Sequence, residues 1–304
     1  MASASQTRLA HIAEVTYGVT PATPTFIVNR YTAENLNSNI QTVTSNEIRA
    51  DRNVTDVIQT GSEVGGSVDF EMSYGSFDPF LESLMFNTYA TNVLKNGQTQ
   101  RSFTLEKTFE TGATDQFHRL TGCVVNEMSL AIQAQQIVTG SFGFLGAAYT
   151  TAQAAIASST YTAANTNPVI SAGANFASLT MTGVTSPALT ALSLNVTNNL
   201  KQQPVIGSLV SRGINPGRFE VTGNFTAYFE NQQLFDIFLA QTVIALSFQI
   251  GGASTLRYTF DVARIKLTSA EVVAGGNDQD VMAVIGFRGL YDNTDNTLKI
   301  TRAP

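Results

Sequence analysis

The sequence predicts a mainly β protein with two tandem, duplicated β-sandwich or β-barrel domains, each carrying one short flanking α-helix. Two observations lead to this prediction. Several segments alternate apolar and polar residues with period two, which is typical of strands that bury one face. The same order of strand, short helix and closing strands recurs in both halves of the 304-residue chain, which favours duplication over two unrelated domains.

The first repeated element is a strand. Residues 64–72 read VGGSVDFEM and residues 221–229 read VTGNFTAYF. When Val64 is placed on Val221 their apolar positions coincide, and Gly66 aligns with Gly223. Two further alternating segments close the halves, at residues 138–146 and 281–289.

A short helix is predicted after each of the first strands. The segments FLESLM at 80–85 and LFDIFL at 234–239 both place apolar residues at i, i+1, i+4 and i+5, which gives one apolar stripe. Asp78 and Asn231 are suited to cap these helices, and Pro79 suits the first helical position.

These elements divide the chain into two predicted domains. The first covers residues 1–149 and includes an N-terminal arm and a long loop at 44–62. A small, polar and repetitive segment at 150–175 connects it to the second domain, residues 176–304.

Composition favours an assembling protein. Charged residues make up 13% of the chain, against about 25% in an ordinary soluble domain. A surface so poor in charge resists aggregation weakly unless it is buried against partners. The net charge of −6 lacks the basic footprint of a nucleic-acid-binding protein.

No exported or membrane-inserted segment is expected. The first fifteen residues lack the apolar core of a signal peptide, and no stretch approaches the ~20 apolar residues of a membrane helix. The only cysteine, Cys123, excludes an intrachain disulfide and is compatible with synthesis in the cytosol.

The sequence contains few candidates for catalytic residues. His11 lies in the N-terminal arm, and His118 precedes Cys123 by five residues. Because Cys123 sits in the apolar run CVV, we expect a core residue rather than a nucleophile. No catalytic or cofactor-binding residue is predicted.

Phosphate and metal sites are not predicted either. The segment GSEVGGS at 61–67 lacks the lysine of a phosphate-binding loop. The acidic pairs near the C-terminus lack the ligand spacing of a calcium loop; they are Asp278 with Asp280 and Asp292 with Asp295.

Several stretches resemble the tail tube (major tail) proteins of long-tailed bacteriophages. The most specific is VTGNFTAYFENQQL at 221–234, and the others lie at 14–26, 45–56, 66–85 and 192–240. The resemblance implies tail-tube-type β-sandwich domains, each with one flanking helix, in a structural virion protein that is not an enzyme.

The family implies rings that close by pairing strands between subunits and stack into a hollow tube. The tube holds the tape-measure protein and conducts DNA into the host without binding it specifically, and it contacts terminator and distal tail proteins. Single-domain members form six-membered rings. A duplicated chain is therefore expected to form trimeric rings with pseudo-sixfold symmetry, with hexameric rings as the alternative. The protein is expected to be made in the host cytoplasm.

The polar side of strand 64–72 is a candidate lumen surface. Glu63, Asp69 and Glu71 would make the lumen locally acidic if ring closure turns this side inward. The alternative is an ordinary outer surface.

The long loop is a candidate contact between rings, because a loop at this place reaches the neighbouring ring in the resembled family. Its charged residues are Glu47, Arg49, Asp51, Arg52 and Asp56. The alternative is a solvated loop without a partner.

Two other functions remain open. A two-domain β-sandwich adhesin or decoration protein would show exposed aromatic residues, although the chain has no tryptophan to stack on sugars. A hydrolase on a β-scaffold would require His118 and Cys123 to act together.

Overall fold

The computed structural model describes residues 3–112, 114–185 and 187–304. These residues form twenty β-strands, three α-helices and one 3-10 helix at Ala4–Gln6. The helices are α1 (Asp78–Leu84), α2 (Ala172–Asn175) and α3 (Gln233–Leu239). The mainly β prediction is confirmed, and α1 and α3 are the two helices that the sequence predicts.

The strands fall into two runs along the chain. The first run is β1 (Thr7–Ala13), β2 (Thr25–Val28), β3 (Ala33–Glu34), β4 (Asn37–Thr44), β5 (Val57–Glu71), β6 (Val93–Lys95), β7 (Phe103–Phe109), β8 (Gln116–Gln133), β9 (Thr139–Gly146) and β10 (Ala148–Ala152). The second is β11 (Thr160–Thr162), β12 (Phe176–Met181), β13 (Leu189–Thr197), β14 (Lys201–Gln202), β15 (Ile214–Asn215), β16 (Glu220–Tyr228), β17 (Ile244–Gly251), β18 (Arg257–Val273), β19 (Met282–Gly289) and β20 (Lys299–Ala303).

Strand β8 belongs to two layers of the first half. Its first part pairs with β7 and β10, and its later part pairs with β9. One layer therefore runs β10–β8–β7–β1–β2–β11, and the other runs β4–β5–β9–β8.

Strand β18 has the same role in the second half. Its first part pairs with β17 and β20, and its later part pairs with β19. The corresponding layers are β6–β20–β18–β17–β12 and β18–β19–β16–β13.

The two halves share one sheet because β13 pairs antiparallel with the end of β8, with Asn195 opposite Ser129. Eight strands thus follow one another in the order β4–β5–β9–β8–β13–β16–β19–β18. The sheet does not close into a barrel, so that part of the prediction is wrong for the single chain. The strands of the first half continue into the second half instead of returning to β4.

The core lies between the layers and is rich in phenylalanine. Phe80 of α1 contacts Phe103 of β7 on one side, with ring centroids 5.4 Å apart. On the other side it contacts Phe142 and Phe144 of β9, at 5.6 and 5.2 Å. The apolar stripe of α1 therefore joins both layers of the first half.

Two predicted irregular segments are shorter than expected. The long loop at 44–62 reduces to residues 45–56, because β4 ends at Thr44 and β5 begins at Val57. Both faces of this hairpin are exposed, so its sequence carries no alternation that would reveal strands. The N-terminal arm is also mostly a strand, since all of β1 pairs with β7.

Asp78 does not cap α1, contrary to the prediction. It is the first residue of the helix, and its carboxylate accepts hydrogen bonds from Tyr258 Oη (2.5 Å) and Arg302 Nη1 (2.5 Å) of the second half. In α3 the N-cap residue is Gln232 rather than the predicted Asn231, although Asn231 Oδ1, one residue earlier, accepts the N–H of Gln233 at 3.0 Å.

The segment predicted as a connection packs closely on the first half. Strand β11 pairs with β2, and Tyr161 stacks on Phe26 with ring centroids 5.6 Å apart. Ile170 is buried in the core and bonds through its backbone to Met72 and Val138.

Candidate functional surface

One face of the eight-strand sheet carries polar side chains on all eight strands, with the exposed Tyr228, Val273 and Val284 at one end. Residues that lie opposite one another in paired strands share a face, and side chains alternate along each strand. On β5 the buried side chains are Val64, Val68 and Phe70. The opposite face continues across the neighbouring strands through Asn37, Ser141, Ser129, Asn195, Thr222 and Asn224.

The three predicted lumen residues lie on this polar face. Glu63 is exposed, whereas Asp69 and Glu71 are half-buried. Ser141 Oγ of the adjacent β9 donates to Asp69 Oδ1 at 2.5 Å, which holds that carboxylate against the sheet.

Acidic residues also occur on this face beyond β5. The paired strands add Glu127, Glu220 and Glu271, against the basic residues Lys266 and Arg288. Glu220 forms ion pairs with Arg218 and with Arg288 (3.7 Å). The face therefore carries an excess of negative charge.

The five predicted loop residues are exposed: Glu47, Arg49, Asp51 and Arg52 lie in the tip of the β4–β5 hairpin, and Asp56 lies at its base opposite Ser45. Arg49 and Asp51 form a two-point ion pair, with Nη2 to Oδ2 at 2.7 Å, and Arg49 lowers the pKa of the Asp51 carboxyl. Ile48 and Val54 are also strongly exposed. The tip thus combines exposed apolar and charged side chains, a composition suited to contact with another protein.

Cys123 is a buried core residue, as the sequence predicts. Its side chain belongs to the main apolar cluster, and burial raises the pKa of the thiol. His118 lies on β8 with its Nδ1 2.5 Å from Tyr149 Oη, and burial, followed by the nearby Lys107, lowers its pKa. These contacts tie the imidazole to Tyr149 rather than to the thiol.

His11 is buried between aromatic rings. Its Nδ1 donates to Asn29 Oδ1 at 2.6 Å, and its ring lies 4.8 Å from that of Phe80. Burial lowers the pKa of His11 to about 4, against a smaller opposing effect of the Asn29 bond. His11 is therefore a packed, neutral core histidine.

The described residues contain no group of three or more metal-ligating side chains. In one of the acidic pairs near the C-terminus, the carboxylates of Asp292 and Asp295 form hydrogen bonds and ion pairs with other groups of the protein. Asp292 accepts the N–H groups of Thr294 and Asp295, and Asp295 forms ion pairs with Lys95 and Lys299.

A family model described as phage tail tube protein matches residues 4–289, nearly the whole chain. The chain belongs to this family. A search of curated proteins found no match. As a tail tube protein, the chain is a structural component of the virion, and the family implies that its subunits assemble by stacking into a tube. In the described part of this tail tube protein, no helix is long and apolar enough to cross a membrane.

Two polar clusters of the tail tube protein were not predicted from the sequence. One is the clasp formed by Asp78, Tyr258 and Arg302. The other is the ion pair of Glu34 with Lys107, which lies at the outer edge of β3–β4. Each joins residues that are far apart in the chain, and no local motif marks them.

Proposed function

We propose that this protein forms rings of three chains that stack into the hollow tail tube. The observation that carries the proposal is the open eight-strand sheet, whose terminal strands β3–β4 and β18 have a free edge among the described residues. Three such sheets joined edge to edge make a barrel of 24 strands. Closure would pair the backbone groups of both edges, which otherwise invite aggregation.

Pseudo-sixfold symmetry requires that residues 1–149 and 176–304 are equivalent units, joined by 150–175. Matched irregularities in strand register support this. The β7–β8 pair shifts register between Phe103 and Leu105, and the β17–β18 pair shifts between Ile244 and Leu246. Both shifts lie in the pair that joins the long strand to the strand before it, so the same defect occurs at the same place in each unit.

A second pair of shifts supports the same equivalence. The β8–β9 pair shifts between Val125 and Glu127, and the β18–β19 pair shifts between Leu267 and Ser269. Both of these lie in the pair that joins the long strand to the strand after it. β-bulges are retained within protein families. Two bulges at matching places in both halves are therefore expected of duplicated domains and not of unrelated ones.

The aligned glycines add a further argument. A Cβ on Gly66 would lie 2.6 Å from the carbonyl oxygen of Asn35 on the adjacent chain segment. A Cβ on Gly223 would collide with the carbonyl oxygen of Ser193, which occupies the equivalent place. Glycine is needed at both positions because the neighbouring backbone leaves no room for a side chain.

The polar face is proposed as the lumen wall. Ring closure would place Glu63, Asp69 and Glu71 on the inside, where their negative charge repels DNA phosphates at short range. DNA would then pass without specific binding, and the same wall would surround the tape-measure protein before DNA ejection.

The hairpin tip at 45–56 is proposed as the contact between stacked rings. Its mixed charges and its exposed Ile48 and Val54 fit a protein partner. The ends of the stack would meet the terminator and the distal tail proteins. Synthesis in the host cytoplasm precedes this assembly.

Electron microscopy of concentrated purified protein tests the proposal. End-on averages should show hollow rings of three chains with six similar lobes. Six chains in a ring would retain the tube function and overturn the pseudo-sixfold arrangement. Isolated particles without a hole would favour a two-domain adhesin or decoration protein instead.

A further inference from the structure

In the proposed repeat, the strands at the two free edges of the eight-strand sheet have counterparts that already pair with each other inside the chain. Strand β13 pairs with the end of β8, and this internal junction joins the two halves. In the proposed repeat, β13 corresponds to β3–β4 and β8 corresponds to β18. The internal junction is thus a template for the contact between copies.

The equivalences can be set residue by residue. Glu127 follows the bulge in β8 as Ser269 follows the bulge in β18, so these two residues correspond. Val196 lies opposite Val221 as Ser38 lies opposite Val64, so Val196 and Ser38 correspond as well. Counting along each strand from these two correspondences gives, for every pair at the β8–β13 junction, the pair expected between two copies.

Resting on the proposed function, we propose that residues 33–39 of one copy pair antiparallel with residues 269–275 of the next copy. The internal pair of Asn195 with Ser129 then becomes Asn37 opposite Glu271. The pair of Leu194 with Leu130 becomes Leu36 opposite Val272. The occupant of the β18 edge is therefore a second copy of this chain, in one defined register.

Exposed apolar side chains lie where the template has buried ones. Leu130, which β13 covers, is 1% exposed, whereas its counterpart Val272 is 40% exposed. Leu239, at the end of α3, is 64% exposed. On the other edge Ile40 is 58% exposed, and the proposed register brings it next to Leu239. Pairing would remove these apolar surfaces from water.

The backbone around α1 and α3 supports the same placement. At the internal junction, Asn198 Nδ2 donates to the carbonyl oxygens of Leu84 (2.8 Å) and Val125 (3.1 Å). At the free edge the counterpart of Asn198 is Ile40, which has no amide side chain.

There the equivalent carbonyl oxygens, those of Phe238 and Leu267, accept from Gln241 Nε2 of the same chain, at 2.9 and 3.5 Å. The free edge is thus supplied locally with the donor that an incoming Ile40 cannot bring, so its carbonyls would stay satisfied after pairing.

Disulfide trapping tests the register. Asn37 and Glu271 are both exposed. In the proposed register they face each other in the same way as Asn195 and Ser129 do at the internal junction. The Asn198 N–H donates to Asn126 O across the internal junction, so Asn198 and Asn126 form a hydrogen-bonded pair. Because the two kinds of pair alternate along antiparallel strands, Asn195 and Ser129 form a non-hydrogen-bonded pair, whose Cβ atoms lie close together. Such a pair meets the distance requirement of a disulfide.

The test variant is N37C/E271C, oxidised after assembly and run on a non-reducing gel. We expect covalent dimers and closed trimers. N195C/S129C is the matched control and should form the same bond within one chain. N37C/V273C shifts the register by two residues on the same face and should stay monomeric on the gel. Cys123 is fully buried and remains in all variants.

The outcomes separate the inference from the function. Rings by electron microscopy without a 37–271 crosslink, or with a 37–273 crosslink of equal yield, would overturn the register and leave the tube function standing. A chain that forms neither rings nor crosslinks, while N195C/S129C oxidises normally, would overturn both.

Discussion

Among the described residues, the charged side chains that are buried are Glu106 and Arg119, and they pair with each other. The Glu106 carboxylate is fully buried and accepts hydrogen bonds from Arg119 Nε (2.7 Å) and Tyr161 Oη (2.5 Å). Tyr161 comes from the connecting segment, and Arg119 Nη2 also donates to Ala154 O of that segment at 3.0 Å. The cluster therefore fixes the connection onto the first half.

Substituting Arg119 with Met should strongly destabilise the subunit. It leaves the buried Glu106 charge without its counter-ion, and breaking such a pair costs about 3–5 kcal/mol in the free energy of unfolding. R218M removes an arginine whose side chain is 78% exposed, and it should change stability by less than about 1 kcal/mol. Urea unfolding of dilute subunits measures both, and equal effects would contradict the prediction.

His11 should make stability depend on pH. Its pKa is about 4 in the folded protein and about 6.5 in an unfolded chain. The unfolded chain binds more protons between these values, so stability is lost as pH falls from 6.5 to 4, by up to about 3 kcal/mol.

H11Q should flatten this part of the pH profile relative to the unsubstituted protein in urea unfolding. H118Q, at a half-buried imidazole, is the control and should leave most of the slope. A slope unchanged in H11Q would contradict the prediction and assign the slope to other titrating groups.

At the scale of elements, the β3–β4 edge is protected by side chains. Glu34 Oε2 accepts the N–H of Leu36 at 2.9 Å, and Lys107 Nζ donates to the carbonyl oxygen of Leu36 at 2.7 Å. The two charges also pair with each other at 3.1 Å. Inward-pointing charges are a known way to prevent premature pairing at a strand edge.

The double variant E34L/K107F should assemble faster than the unsubstituted chain. It introduces the side chains of Leu192 and Phe248, the residues that the proposed repeat places at the corresponding positions of the second half, and it frees the backbone groups of Leu36 for a neighbouring strand. Light scattering after a concentration jump measures the rate. The double variant removes one acidic and one basic side chain and therefore leaves the net charge unchanged, and slower assembly would contradict the prediction.

The hairpin tip should be separable from ring closure. Ser45 N–H bonds to Asp56 O at 2.9 Å, so the paired strands end at a closed base. Replacing residues 46–55 with Asn-Gly keeps that base and supplies a favourable tight turn. We expect rings that no longer stack into tubes by electron microscopy, and tubes of normal length would contradict a contact between rings.

At the scale of the whole molecule, the polar face defines an inside and an outside. Glu71 lies on the polar face of the eight-strand sheet, whereas the exposed Glu110 follows β7 in the other layer. Layers that belong to opposite sides of the core must face opposite sides of a barrel wall.

Gold labels should report this directly. E71C, labelled before assembly, should place density inside the tube in end-on averages, and E110C should place it on the outer rim. The two variants lose the same charge and differ only in position. Gold from E71C on the rim would show that the polar face is an outer surface.

The sequence alone determined the local features of this protein. Alternation predicted the buried face of β5, and stripes of apolar residues predicted α1 and α3, because each pattern depends on residues close in the chain. It also placed Glu63, Asp69 and Glu71 on one face. It failed at the 44–62 hairpin, where both faces are exposed and no alternation exists.

Only the tertiary structure decided how these pieces join. The β8–β13 junction, the clasp of Asp78 with Tyr258 and Arg302, and the protection of Leu36 by Lys107 all connect residues far apart in sequence. Such contacts depend on which strand edges meet after folding. Periodicity within a strand specifies its faces, but it leaves the choice of neighbouring strand open.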